Sequence, residues 1–155
     1  MEKLYQSLDS LYEEIVQLRR YLHQYPELSF REVHTPRYIA EYHEKLGHRV
    51  RTNVGGNGVV AYLEGGKPGP TVAMRADFDA LPIKEETGLS FQSKNDGVMH
   101  ACGHDAHTAT LLGLAKALNG IKEELKGTVV FIHQHAEEVI PGGAKSMIEG
   151  CSRLD

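Results

Sequence analysis

The chain has 155 residues, 41% hydrophobic and 25% charged, an ordinary globular composition long enough for one core. Its net charge of −4, with Lys and Arg scattered rather than massed, argues against a nucleic-acid groove. No run approaches the ~18 apolar residues of a membrane span, and Cys102 and Cys151 make no disulfide framework. The N-terminal stretch carries Glu2, Lys3 and Asp9 without a long apolar core, so no signal peptide and a cytoplasmic, reducing location are expected.

Residues 4–24 read as one amphipathic helix, because Leu4, Leu8, Leu11, Ile15, Leu18 and Leu22 recur at three- and four-residue steps. Pro26 stops it, and His23 near its end is expected to sit favourably on the helix dipole. A second helix is expected over about Thr35–Leu46, with Pro36 in its first turn and Gly47 past its end. Arg49–Asn53, Val59–Leu63 and Thr71–Arg75 read as strands, broken by the Gly55–Gly58 turn and the Gly65–Pro70 turn. Residues 83–98 read as irregular and polar. A further helix spans about Ala106–Leu118, with Asp105 as its N-cap and Gly120 at its end. Gly127–Gln134 holds the continuous apolar run Val129-Val130-Phe131-Ile132, typical of a strand covered on both faces. A short helix over about Ala144–Ile148 closes the chain.

The densest chemistry lies in Met99–His107, where five of nine residues can bind a metal or move a proton. Cys102 and His104 are one residue apart across Gly103, which points both side chains the same way on an extended or turning backbone. Thiolate and imidazole are ligands that Zn²⁺ and similar ions prefer. Two acidic clusters stand at strand ends: Asp77 and Asp79 after the Thr71–Arg75 strand, and Glu137 and Glu138 after the Gly127–Gln134 strand. Open α/β sheets place their chemistry at such ends. In an adjacent Glu pair one carboxylate can ligate a metal while the other faces the water to be activated. Taken together, the three clusters favour a joint metal site over solvated loop residues. His133 and His135 read as structural or supporting, and His34, His43 and His48 as surface residues.

The segments Leu22–Phe30, Met74–Pro82, Met99–His107 and Ala136–Glu138 resemble, in order and spacing, the aminoacylase/carboxypeptidase-type dinuclear metallohydrolases. More narrowly they resemble the branch that hydrolyses N-acyl amino acids, including hippurate hydrolases and plant auxin-conjugate amidohydrolases. The resemblance runs over essentially the whole chain, and the Cys-Gly-His-Asp-x-His block is its most specific part. It implies an α/β fold, a mixed sheet flanked by helices, forming the N-terminal portion of a catalytic domain. It also implies that residues 1–155 end before a lid domain that often mediates homodimerisation, and before two further His ligands. Carried over, Cys102, His104 and Glu138 are implied metal ligands for divalent ions, two per complete site, Zn²⁺ or Mn²⁺. Glu137 is the implied general base. Asp77 and Asp79 join the catalytic set in an orienting role; Asp77 stands where the wider family has His, and His135 where relatives usually have Pro. The implied reaction is hydrolysis of the amide bond of N-acyl amino acids or small peptides. Two other readings compete: a cysteine hydrolase with Cys102 as nucleophile, and a non-enzymatic metal-binding or interaction fragment. Because the resemblance leaves ligands and strands beyond Asp155, the chain alone is expected to be inactive, to hold at most one ion weakly, and to self-associate or show disordered loops around Met99–His107 and Glu137–Gly143.

Overall fold

The computed structural model of the protein describes residues 2–152. Helices α1 (Glu2–Ser10), α2 (Tyr12–Gln24) and α3 (His34–Lys45) precede strands β1 (Arg49–Val54), β2 (Gly58–Glu64) and β3 (Lys67–Asp77). Helix α4 (His104–Asn119), strand β4 (Lys126–Gln134) and helix α5 (Gly143–Ser152) follow. The four strands form one mixed sheet in the order β1-β2-β4-β3, antiparallel except for the parallel pair β3 and β4. This is the α/β architecture expected. No described helix is long and apolar enough to cross a membrane.

Alternation along the strands sorts the core into two layers. Ala61, Leu63 and Phe131 pack with Leu111, Ala115 and Leu118 of α4, while Val59 joins Leu18, Leu22, Ile39 and Leu112 from α2, α3 and α4. On the opposite face Val60 meets Met147 of α5, with Tyr62, Val130 and Ile132 only partly covered. The β4 run is therefore central in the sheet, but of Val129, Val130, Phe131 and Ile132 only Phe131 is fully buried, on the face under α4, which corrects the expectation of two covered faces. β3 is a sheet edge. Only Ala76 and Asp77 at its C-terminal end are buried, while Val72 and Met74 stay 54% and 38% exposed.

Several local expectations need correction. The single helix over 4–24 is two, broken at Leu11, where the Ser10 hydroxyl donates back to the Ser7 carbonyl at 2.7 Å. Such a side-chain bond competes with the helical ladder and bends it. Helix α3 is entered through Glu27, whose carboxylate accepts the Val33, His34 and Thr35 N–H groups at 2.8–3.1 Å. It leaves through Gly47 at φ +78, where the Gly47 and His48 N–H groups return to Glu44 and His43 carbonyls. That double return is a Schellman motif, which needs a left-handed residue at the helix end. Gly120, by contrast, is right-handed (φ −64). His43 and His48 are buried, not surface residues, and only His34 of the three is exposed.

Candidate metal centre

Because β3 and β4 are parallel neighbours, with Asp77 opposite Gln134, their C-terminal ends lie side by side. The chain leaving β3 returns through α4, so the start of α4 reaches the same end of the sheet. Three clusters far apart in sequence meet there for that reason.

Gly103 (φ +89), rather than Asp105, is the N-cap of α4, and its carbonyl accepts the Ala106 and His107 N–H groups. A left-handed residue is readily supplied by glycine, and it turns the chain so that Cys102 and His104 face one point. Asp105 lies inside the first turn and is buried, with Oδ2 2.8 Å from Arg19 Nε and 2.7 Å from His23 Nδ1. His23 is accordingly a buried residue that also meets Glu85 at 3.1 Å, not a solvated group on a helix dipole. This network ties α2 and the 83–98 segment to the base of the site.

His104 is 2% exposed. Its Nδ1 lies 2.9 Å from the Asp79 carbonyl, which can only accept, so Nδ1 carries the proton. In the neutral ring Nε2 then keeps its lone pair for a ligand. Nε2 stands 3.6 Å from Glu138 Oε1, 3.7 Å from Asp77 Oδ1 and 3.8 Å from Glu137 Oε2. Burial opposes the charged imidazole, but the Asp79 hydrogen bond and the Asp77 and Asp79 charges outweigh it and raise the His104 pKa. Asp79 receives the Ser29 hydroxyl at 2.6 Å and the Glu138 N–H at 3.0 Å. Burial pushes its carboxyl up, yet these bonds and His104 hold it well below the usual carboxylate range.

Among the described residues, two groups of three side chains each place one ligand atom per residue within 4.8 Å of the others: Cys102, His104 and Glu138, and Asp77, His104 and His107. The second group is already satisfied. Asp77 Oδ2 accepts from Arg75 Nη1 and its Oδ1 meets His107 Nδ1, each at 2.7 Å. A guanidinium at that distance offsets the carboxylate and repels a dication, so this cluster acts as a buttress beside His104. In the first group one acceptor is left over, since Glu138 Oε1 is buried with no hydrogen-bond partner among the described residues. The hydrogen bond to Glu138, burial and the charges of Glu138, Glu137 and Asp77 all raise the Cys102 pKa. A thiol held protonated by neighbouring carboxylates is a poor nucleophile, and the same surplus of negative charge suits a cation. Sulfur, nitrogen and oxygen donors converging on one side of His104 fit a divalent ion such as Zn²⁺.

All six residues singled out in the sequence reach this end of the sheet: Asp77, Asp79, Cys102, His104, Glu137 and Glu138. Glu137 is the more open of the two glutamates, with 42% of its side chain exposed against 19% for Glu138. The sequence assigned no role to Ser29 or Arg75, and it counted His100 and His107 among the chemistry-bearing residues of Met99–His107 without a place in the metal set. The Ser29 contact spans 50 residues and has no local signal, whereas Arg75 flanks a motif residue and could have been suspected. His100 is 4% exposed, and burial lowers its pKa to about 4. His133 bonds His43, and His135 Nε2 meets the Gly55 carbonyl at 3.1 Å; both are structural.

Comparison with known proteins gives the same picture. YhaA of Bacillus subtilis (strain 168) is 60% identical over 151 residues, which cover 97% of this chain and 38% of YhaA. The N-acyl-L-amino acid amidohydrolase of Geobacillus stearothermophilus is 45% identical over 148 residues, 96% of this chain and 40% of that protein. The crystal structure of Bacillus subtilis YxeP, described as a dinuclear metal-binding peptidase, superposes with a TM-score of 0.86 at 45% identity, covering 94% of this chain and 41% of YxeP. The chain thus spans about two fifths of the length of these relatives. The sequence profile of Peptidase family M20/M25/M40 matches residues 73–155, the segment that carries all six site residues, and the chain belongs to that family.

Proposed function

We propose that the protein takes part in metal-dependent hydrolysis of the amide bond of N-acyl amino acids, with small peptides as the neighbouring substrate class. The observation that carries this reading is the convergence of Cys102, His104 and Glu138 on one point, with Glu138 Oε1 buried and lacking a hydrogen-bond partner among the described residues. Those three residues would hold the cation, Zn²⁺ or Mn²⁺, with a second ion in a longer chain that adds further ligands. Bound divalent ions supply Lewis acidity to the scissile carbonyl and lower the pKa of a water toward ~7.

The chain's own residues do the remaining work. Glu137, exposed and 3.8 Å from His104, is the general base that takes the proton of the attacking water and returns it to the leaving amine. Asp79 fixes the tautomer of His104 through its carbonyl and anchors the Glu138 N–H through its carboxylate. Asp77, clamped by Arg75, holds His107 against the flank of the His104 ring. The relative named as an N-acyl-L-amino acid amidohydrolase supports the acyl substrate, and the peptidase description of YxeP supports the peptide one. Homodimerisation and a cytoplasmic location belong to the same reading.

The test is Cys102→Ala and His104→Ala in a longer chain that carries this one. Both variants should lose metal by elemental analysis and lose turnover on a panel of N-acyl amino acids. A Cys102→Ala protein that keeps its metal and its rate would show the assignment to be wrong.

A further inference from the structure

Glu32 lies between α2 and α3, outside every element that bears a candidate ligand, yet it is only 2% exposed. Both of its oxygens are used. Oε1 accepts the Ala136 N–H at 2.9 Å, across 104 residues of chain, and Oε2 accepts from Asn57 Nδ2 at 2.9 Å. Ala136 immediately precedes Glu137 and Glu138. It is fully buried and left-handed, with φ +47, a conformation that residues other than glycine seldom adopt.

A strained residue persists only where its surroundings over-determine it, and the surroundings of Ala136 can be named. Its N–H is held by Glu32, and its carbonyl accepts the Gly143 N–H at 2.9 Å. Two residues later the Glu138 N–H is held by Asp79 at 3.0 Å. Gly143 opens α5, the element that directly follows the turn, and Asp79 belongs to the site itself, so Glu32 is the distant anchor that comes from outside. Without it, the buried Ala136 N–H has no partner, and the turn can relax to a commoner conformation that re-aims both glutamates. The bond is also charge-assisted, which makes it stronger than a neutral one.

We propose that Glu32 is a positioning residue: its carboxylate sets the left-handed turn at Ala136 and so aims Glu138 toward Cys102 and His104, tuning the cation affinity of the centre. The proposal rests on the metal reading above, and its test separates the two. In amide hydrogen exchange on the metal-free chain, Glu32→Ala should speed exchange of the Ala136 and Glu138 N–H groups by about tenfold or more, while Phe131 in β4 is unchanged. In a Co²⁺ titration followed by the thiolate-to-cobalt absorption of Cys102, Glu32→Ala should weaken binding by about 10- to 100-fold, the usual worth of a supporting residue. Glu32→Gln keeps an acceptor of the same reach, since Asn57 can turn its amide to offer oxygen. It should recover affinity to within a few-fold of wild type, whereas Glu32→Asp, charged but too short, should not. If Glu32→Ala does not fold, the ranking of Gln above Asp carries the decision, and the reverse ranking overturns the proposal. Wild-type exchange or wild-type Co²⁺ affinity in a folded Glu32→Ala chain overturns it as well. Failure of the wild-type chain to bind Co²⁺ refutes the metal reading and the tuning role with it, and the exchange measurement still decides whether Glu32 sets the turn.

Discussion

Lowering the pH from 7 to 5 should destabilise the fold through His43, replaced for comparison by the non-titrating Gln. His43 is fully buried, its Nδ1 3.0 Å from His48 Nδ1 and its Nε2 2.9 Å from His133 Nε2. Both partners are histidines, so no carboxylate in that chain of rings compensates a positive charge. Burial, reinforced by His48, lowers the His43 pKa from 6.5 to about 3. At pH 5 the unfolded chain binds a proton at this position and the folded one does not, so stability rises with pH between those two values and falls as acid is added. The two pKa values make the folding constant ~25-fold smaller at pH 5 than at pH 7, or about 2 kcal/mol. His133 is shifted in the same direction by burial and by His43, and steepens the slope. His104 works the other way: its raised pKa stabilises the fold below 6.5, and that contribution fades as pH rises through the folded value. The comparison with the variant cancels it. Urea unfolding followed by circular dichroism at pH 7, 6 and 5 is the assay. His43→Gln should be less stable at pH 7, because His48 and His133 lose their partner, and its loss on acidification should be smaller by about 2 kcal/mol. Equal slopes for the two proteins, or a steeper one for the variant, would refute the reasoning.

Glu137→Gln, in a longer chain that carries this one, should keep its metal and lose on the order of 10²–10⁴-fold in rate. Glu138→Gln should instead lower metal content, and elemental analysis with kinetics on the two proteins would expose a swapped pair. Asp79→Ala removes the acceptor of Ser29 and of the Glu138 N–H, so Co²⁺ affinity should fall about 10- to 100-fold. An unchanged titration would remove Asp79 from the supporting role. Leu112→Ala empties a fully buried position between α2, α3 and β2 and should cost about 2–5 kcal/mol in urea unfolding. The isolated 155-residue chain should show no useful amidohydrolase activity and should self-associate through the open β3 edge. A monomer by sedimentation that hydrolyses N-acyl amino acids as fast as a longer chain carrying it would contradict both statements.

The chain's own letters determined the local grammar. Helical spacing located the helices, with α1 and α2 read as one, apolar runs located β2 and β4, and Gly47 marked the turn that ends α3. Those features depend on neighbours within a few positions, which is why they are legible. The six site residues were legible for a related reason: polar groups at the ends of apolar strands have little structural use unless something gathers them. The tertiary structure decided what gathers them. Nothing local says that β4 inserts between β2 and β3, yet that order makes β3 and β4 parallel and brings Asp77 beside Gln134. The histidines fared worst. His23, His43 and His48 look like solvated groups on amphipathic helices or at their ends, and all three are buried against partners 82, 90 and 5 residues away. A histidine tolerates water or the interior equally well at neutral pH. Its fate therefore hangs on whether a distant residue offers a matching nitrogen or oxygen, and only the folded chain brings that residue within reach.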